Sequence, residues 1–147
     1  MVKTDEVRSN DARAGTRELR FTVPGEPVPK QMGVIFRGRV TKGGRVKAYE
    51  DTVRLYARLE ITRARWVTTA DDRYAVELVV FVADHRRTDC DNLSKSILDG
   101  LKWAAFPDDS QVTDLLVRKR VDPSRPRVEV TITRLASSTQ RNPGEKP

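Results

Sequence analysis

Hydrophobic and polar positions along the chain first predict strands. Residues 19–23, 74–82, 111–121 and 127–135 are rich in apolar and β-branched side chains and are bounded by turn-forming residues. The run 74–82 is apolar enough for a central strand, whereas 127–135 alternates between apolar and polar positions, as a strand with one wet face does. The last two strands are joined by the short DPSRP segment, which predicts a final hairpin.

Helical spacing appears in two other segments. From Ala48 onward, apolar residues recur one turn apart, at Tyr49, Val53, Tyr56 and Leu59. A second helix is predicted over 91–105, with Leu93, Ile97, Leu101 and Ala104 on one face. Strands and helices in this order predict an α+β domain, with a small mixed or antiparallel sheet and the helices packed on one face.

The two ends of the chain are polar and lack apolar periodicity, which predicts flexible tails over 1–17 and 136–147 around a domain at 18–135. A chain of 147 residues suits one domain. The first residues contain no apolar run typical of a signal peptide, and no segment approaches the length of a membrane span. With a single cysteine, this predicts a soluble, cytoplasmic or otherwise intracellular protein of cellular or phage origin.

The net charge of +7 indicates a polyanionic partner, with nucleic acid as the first candidate. Between Glu26 and Glu50 the chain contains glycines and bases and no acid. The residues predicted to contact DNA are Lys30, Arg37, Arg39, Lys42, Arg45 and Lys47, together with Arg86 and Arg87. The alternatives are a solvated basic loop for 30–47 and ion pairs with nearby acids for the two arginines.

Against this basic background, acids concentrate in one stretch, at Asp89, Asp91, Asp99, Asp108 and Asp109. Asp89 and Asp91 are positioned to converge at the start of the second helix, and Lys95 lies one turn further on. One carboxylate there has an ordinary explanation as a helix cap, but a second adds like-charge repulsion unless a cation lies between them. Carboxylates inside a basic surface are what Mg²⁺-assisted phosphodiester hydrolysis requires.

These residues resemble the RusA family of Holliday junction resolvases over about 19–135. The motif that carries the resemblance is D-x-D-N-L-x-K (Asp89 to Lys95), followed by D-x-L (Asp99 to Leu101) and F-x-D-D-x-Q-V (Phe106 to Val112). The segments VPGEPVPK and KAYE are also similar to the family.

The resemblance implies a crossover junction endodeoxyribonuclease, acting in DNA recombination and repair, that depends on Mg²⁺ or Mn²⁺. It implies a homodimer that places paired, symmetric nicks in a four-way junction, with no small-molecule cofactor and no membrane partner. The implied metal ligands are Asp89, Asp91 and Asp109, and the implied catalytic residues are the same three with Lys95. Asn92, Asp99 and Asp108 would support them, Asp99 by holding Lys95. The single spacer Pro107 leaves open which carboxylate of the doublet is the ligand, and we predict Asp109.

Two other function classes remain open. One is a different Mg²⁺-dependent nuclease acting on branched or duplex DNA, which substrate competition would reveal. The other is a non-enzymatic module that binds DNA junctions and uses its acids only to cap a helix. Metal dependence separates the module from both nucleases.

Overall fold

The computed structural model describes residues 17–30, 34–36, 39–41, 43–85 and 89–136, with the backbone alone for 34–36 and 39–41. Its strands are β1 (Glu18–Pro24), β2 (Val34–Phe36), β3 (Arg39–Thr41), β4 (Arg73–Val82), β5 (Val112–Val121) and β6 (Arg127–Leu135). Its α-helices are α1 (Gly44–Ala64) and α2 (Cys90–Leu101), and a 3-10 turn spans Asp109–Gln111. The predicted tails fall almost entirely outside the described residues.

Four strands form one mixed sheet in the order β1-β6-β4-β5. β6 runs antiparallel to β1 and β4, whereas β5 runs parallel to β4. The predicted final hairpin is therefore wrong, because β5 and β6 lie on opposite sides of β4. The short connection between them crosses the end of β4, where the Asp122 N–H donates to the Val82 carbonyl at 2.9 Å.

The apolar length of β4 explains this order. Its burial alternates strictly, with Tyr74, Val76, Leu78, Val80 and Val82 all buried against the helices. An apolar strand of this length is best placed inside the sheet, where both of its edges are paired. The predictions of a central strand over 74–82 and of one wet face on β6 are confirmed, as is the α+β class.

Helix α1 begins at Gly44, one turn earlier than predicted, and packs on the sheet through Tyr49, Val53 and Ala57. Leu59, predicted on the same stripe, is 60% exposed, so the stripe is narrower than the spacing indicates. No helix in the described ranges is long and apolar enough to cross a membrane.

Helix α2 buries Leu93, Ile97 and Leu101 completely, which confirms its predicted apolar face. It ends at Leu101 rather than at 105, because the chain must turn to insert Phe106 into the core, where that ring is 1% exposed. Trp103 takes a left-handed backbone conformation in this turn (φ 71°) and its side chain is 73% exposed.

The two helices approach each other closely at Gly100. A Cβ atom at this position would lie 2.7 Å from Val53 Cβ and 2.9 Å from the Glu50 carbonyl oxygen. Beside this contact, the Arg54 guanidinium donates to the Asp99 carbonyl oxygen at 2.9 Å. Helix α2, which carries most of the predicted site, is thus fixed against both the sheet and α1.

Candidate active site

The elements β4, α2 and β5 form a crossover unit, in which two parallel neighbouring strands are joined through a helix. Helix α2 starts beyond the carboxyl end of β4, so Asp89 and Asp91 lie at that end of the sheet. Strand β5 starts with Val112 beside Tyr74, at the amino end of β4. Asp109 directly precedes β5, so the crossover places the two groups of acids at opposite ends of the sheet.

Asp89 occupies the N-cap position of α2, with extended backbone angles (φ −70°, ψ 140°), but its side chain makes no capping hydrogen bond. Its carbonyl oxygen accepts the Leu93 N–H at 3.1 Å, and its carboxylate lies 3.4 Å from the Asn92 Nδ2. The Asp89 carboxylate therefore does not cap the helix, so capping does not explain an acid at this position.

Asp91 and Lys95 lie one turn apart on the exposed side of α2, and the Lys95 Nζ is 3.2 Å from the Asp91 Oδ2. The Asp91 side chain is 75% exposed and that of Lys95 is 55% exposed. A carboxylate and an ammonium are thus presented together at the helix start, where the helix dipole also favours negative charge.

Two carboxylates with available oxygens, Asp89 and Asp91, fit a hard divalent cation such as Mg²⁺, which keeps open positions for water and substrate. The third predicted ligand does not join them within one chain. Helix α2 has 12 residues, and a helix of that length separates its ends by about 18 Å. Accordingly, the described residues contain no group of three acids, histidines or cysteines placed to hold a metal.

At the other end of α2, Asp108 and Asp109 both lie within ion-pair distance of the Lys102 ammonium. The Lys102 Nζ lies 3.3 Å from the Asp109 Oδ1 and 3.6 Å from the Asp108 Oδ1, and its hydrogen bond with Asp109 raises the pKa of Lys102. Ser110 donates its hydroxyl to Asp108 and thereby lowers the pKa of that carboxyl. Asp108 is engaged in its own turn and Asp109 makes the closer ion pair with Lys102, with side chains that are 53% and 43% exposed.

Gln111, a motif residue to which sequence reasoning assigned no role, holds this turn to the sheet. It is 5% exposed, and its Nε2 donates to the carbonyl oxygens of Thr69 at 2.8 Å and Asp72 at 3.1 Å. Its Oε1 accepts the Asp108 N–H at 3.1 Å. The only signal in the sequence is its fixed place in F-x-D-D-x-Q-V, since a polar residue before a strand normally indicates a solvated turn.

The segment Gly25 to Lys30 docks on the start of α2. The Glu26 carboxylate accepts the Ala83 N–H at 3.2 Å, and the Lys30 N–H donates to the Asn92 carbonyl oxygen at 2.9 Å. The Lys30 ammonium forms an ion pair with Asp99, and this hydrogen bond raises the pKa of Lys30. Asp99 therefore holds Lys30, while Lys95 pairs with Asp91.

The other residues predicted to contact DNA are only partly described. Arg45 and Lys47 lie in the first turn of α1 and are exposed. Arg39 belongs to β3, which pairs antiparallel with β2 in a two-stranded ribbon. Arg37, Lys42, Arg86 and Arg87 lie outside the described residues.

The chain was compared with models of known protein families. The family model described as endodeoxyribonuclease RusA matches residues 24–133, which is well over half of the chain. The chain belongs to the RusA family. None of the curated proteins compared with it matches.

Membership of the RusA family confirms the resemblance read from the motifs and sets the general class of activity. The protein is an endodeoxyribonuclease of the Holliday junction resolvase type, and its substrate is DNA. The acidic motifs of α2 and of the turn before β5 lie inside the matched range, so the sites described above are part of the family domain.

Proposed function

We propose that this RusA-family protein is a Mg²⁺-dependent resolvase that cuts four-way DNA junctions with paired, symmetric nicks. The observation that carries the proposal is the pair Asp89 and Asp91 at the start of α2, with Asp89 not engaged in capping and Asp91 beside Lys95. A module that only binds DNA has no need for two like charges at this point, where they repel each other in the absence of a cation.

Each polar residue at the start of α2 has a separate role in the proposed reaction. Asp89 and Asp91 would hold Mg²⁺ or Mn²⁺, which supplies an activated water and neutralises the phosphate when bound. Asn92 orients the Asp89 carboxylate through its side-chain amide. The Lys95 ammonium, 3.2 Å from Asp91, is placed to stabilise the additional negative charge of the phosphorane-like transition state. The buried face of α2 keeps these groups in fixed relative positions.

Asp109 enters the proposal through a second subunit. Within one chain it lies at the opposite end of the crossover unit from Asp89 and Asp91. In a homodimer with two-fold symmetry, Asp109 of each subunit can approach the α2 start of the other, and two equivalent sites form together. Two sites related by a two-fold axis also match the task, because resolution requires cuts in two opposed strands.

The basic residues supply the DNA-binding surface. Arg45 and Lys47 are exposed at the start of α1, directly after the Gly- and base-rich segment 30–42. Their charges would neutralise phosphates and release counterions, which gives affinity without base specificity. Lys30 contributes through its ion pair with Asp99, which ties the beginning of this segment to the catalytic helix.

The deciding experiment is cleavage of a labelled synthetic four-way junction beside a linear duplex of the same sequence, each with Mg²⁺ and with a chelator. The proposal expects symmetric nicks in the junction, none in the duplex, and none with chelator. Equal cutting of the duplex would replace it with a general Mg²⁺-dependent nuclease. Junction binding without cutting under any metal would favour the non-enzymatic module.

A further inference from the structure

Trp103, in the turn that follows α2, has a conformation that its residue type does not favour. Its backbone is left-handed (φ 71°), where a bulky side chain is strained and glycine or asparagine is preferred. Its side chain is 73% exposed, the largest exposed fraction among the described large hydrophobic residues. Backbone strain and exposed apolar surface both oppose the stability of the fold. A tryptophan at this position therefore indicates a contact outside the chain.

The contacts that hold this turn do not need an indole ring. The Trp103 N–H donates to the Phe106 carbonyl oxygen at 2.9 Å, a bond that any residue except proline can make. Trp66, in contrast, is 5% exposed and its Nε1 donates to the Ala105 carbonyl oxygen at 2.7 Å. Trp66 is a core residue, whereas the Trp103 ring is presented to solvent.

An open pocket of about 700 Å³ lies beside the Trp103 ring. The rest of its lining comes from successive turns of α1 and consists of Asp51, Arg54, Leu55 and Arg58. Arg54 and Asp51 pair with each other at 3.3 Å, so their charges cancel and they take no part in the site argued here. Arg58 is exposed and, within the described part of the chain, has no ion-pair partner. The pocket thus combines an aromatic ring with one available guanidinium.

Lys102 brings a second cation to the ring and connects it to the candidate active site. Its Nζ lies 5.4 Å from the centre of the Trp103 ring, within range of a cation–π contact, and 3.3 Å from the Asp109 Oδ1. An aromatic ring with cations beside it suits an unpaired nucleotide, because the base stacks on the ring and the cations neutralise the phosphates. These charges favour a polyanion over an apolar protein segment.

We propose that Trp103 stacks an unpaired base of bound DNA, while Arg58 contacts the adjoining phosphate. Every base has a flat face, so this site distinguishes unpaired from paired nucleotides rather than one sequence from another. Because Lys102 contacts both Trp103 and Asp109, the nucleotide is held beside a carboxylate of the proposed function, and the inference rests on that function for its place in the reaction. The stacking itself requires only that the chain binds DNA.

Two oligonucleotides of equal length and charge test the stacking, one of thymidine and one abasic, with a chelator present to prevent cleavage. We expect the thymidine strand to quench the fluorescence of the exposed Trp103 and the abasic strand to leave it almost unchanged. W103A should weaken binding of the thymidine strand about tenfold and of the abasic strand hardly at all, whereas W103F should keep most of the affinity. L59A, an exposed leucine of α1 outside the pocket, is the matched control and should bind both strands normally. Fluorescence anisotropy of the labelled strands measures the affinities.

The phosphate contact is tested separately with R58Q. Because a phosphate is common to both strands, R58Q should weaken the two alike and lower the slope of log affinity against log salt by about 0.7. R63Q removes an arginine of the same helix that is already paired with Glu60, and it should leave the slope unchanged. An R58Q protein with the wild-type slope would contradict the phosphate contact.

Three further outcomes would overturn the stacking site: equal weakening of both strands in W103A, wild-type binding of both strands by W103A, or equal quenching by the abasic strand. A change in sedimentation of W103A without a change in DNA affinity would make Trp103 a protein contact instead. W103N guards against a structural role, because asparagine suits the left-handed backbone and should melt at or above the wild-type temperature. A clearly lower melting temperature would make Trp103 part of the fold and overturn the inference. Since no reading involves cleavage, failure here leaves the nuclease proposal standing, and failure of cleavage leaves the stacking site standing.

Discussion

At the scale of single residues, the five carboxylates of the candidate site differ in what already engages them. Asp108 accepts from Ser110 and is held in its turn, whereas Asp99 is paired with Lys30. Asp89 makes no capping bond, and Asp91 remains largely exposed beside Lys95. Asp109, the third predicted ligand, is paired with Lys102 at 3.3 Å, so existing contacts do not by themselves separate the predicted ligands from the residues predicted to support them.

Changing Asp91 to Asn keeps the side-chain shape but removes the charge that a divalent cation requires. We expect D91N to lose junction cleavage by about a hundredfold or more, while junction binding persists because it depends on the basic residues. Single-turnover cleavage and a gel-shift titration measure the two. D51N, on the exposed face of α1 beside Arg54, is the control and should cleave normally. An active D91N protein would contradict the metal-site assignment.

The buried side chain of Tyr74 makes the free energy of unfolding depend on pH. Burial is the main cause that raises the pKa of Tyr74 to about 12, from 10.0 for an exposed tyrosine. The folded state therefore holds this proton more tightly than the unfolded state does. Its stabilising effect is complete below pH 10 and is lost as the pH rises from 10 towards 12.

In Y74F this titration is absent, so the free energy of unfolding should fall less steeply than in wild type between pH 10 and 12. Denaturant titrations at several pH values measure both slopes. The variant also loses the hydrogen bond from the Tyr74 hydroxyl to Asp72, 3.2 Å long, which should appear as a constant offset between pH 7 and 9. Equal slopes for the two proteins above pH 10 would contradict the shifted tyrosine.

At the scale of elements, the sequence predicts which helices and strands form better than it predicts which strands pair with each other. The central position of β4 follows from its apolar composition, and the apolar face of α2 follows from spacing, whereas the strictly alternating burial of β4 does not follow from a continuous apolar run. The parallel pairing of β5 does not, because it depends on α2 returning the chain to the start of β4, and a short connection to β6 favours a hairpin locally. The close approach at Gly100 also has no signature in one sequence, since a glycine inside a helix only lowers its propensity.

Adding a methyl group at Gly100 tests that approach. Because a Cβ there would lie 2.7 Å from Val53 Cβ and meet the α1 backbone, we expect G100A to lower the free energy of unfolding by about 1–3 kcal/mol. G44A, in the first turn of α1 with open space around it, is the matched control and should be neutral or slightly stabilising. Urea denaturation measures both. A G100A protein as stable as wild type would mean that the helices pack less closely.

At the scale of the whole molecule, residues that belong to one sequence motif lie far apart in the folded chain. The family resemblance implies that Asp89, Asp91 and Asp109 form one set of metal ligands. The crossover unit instead places Asp109 beyond the far end of α2, at the start of β5. In the proposed dimer, the contact that completes the site would join two chains, and the sequence of one chain does not indicate such a contact.

Mixing two inactive variants tests this directly. D91N and D109N subunits, unfolded together and refolded as an equal mixture, form heterodimers that hold one intact site if Asp109 acts across the interface. If all three ligands came from one chain, neither subunit would hold an intact site. We therefore expect about a quarter of the wild-type sites to be active, because half of randomly paired dimers are mixed and each has one working site of two. These dimers should nick one strand of a four-way junction without resolving it.

The matched control for this recovery is a mixture of D89N and D91N. Both changes lie at the same end of α2, so every dimer lacks a complete site whichever way Asp109 acts. No nicking should appear in this mixture, and any that did would indicate wild-type contamination or subunits that act alone. Absence of nicking in the D91N and D109N mixture, once exchange of subunits is verified with a tagged chain, would contradict the shared site and return Asp109 to a structural role in its turn.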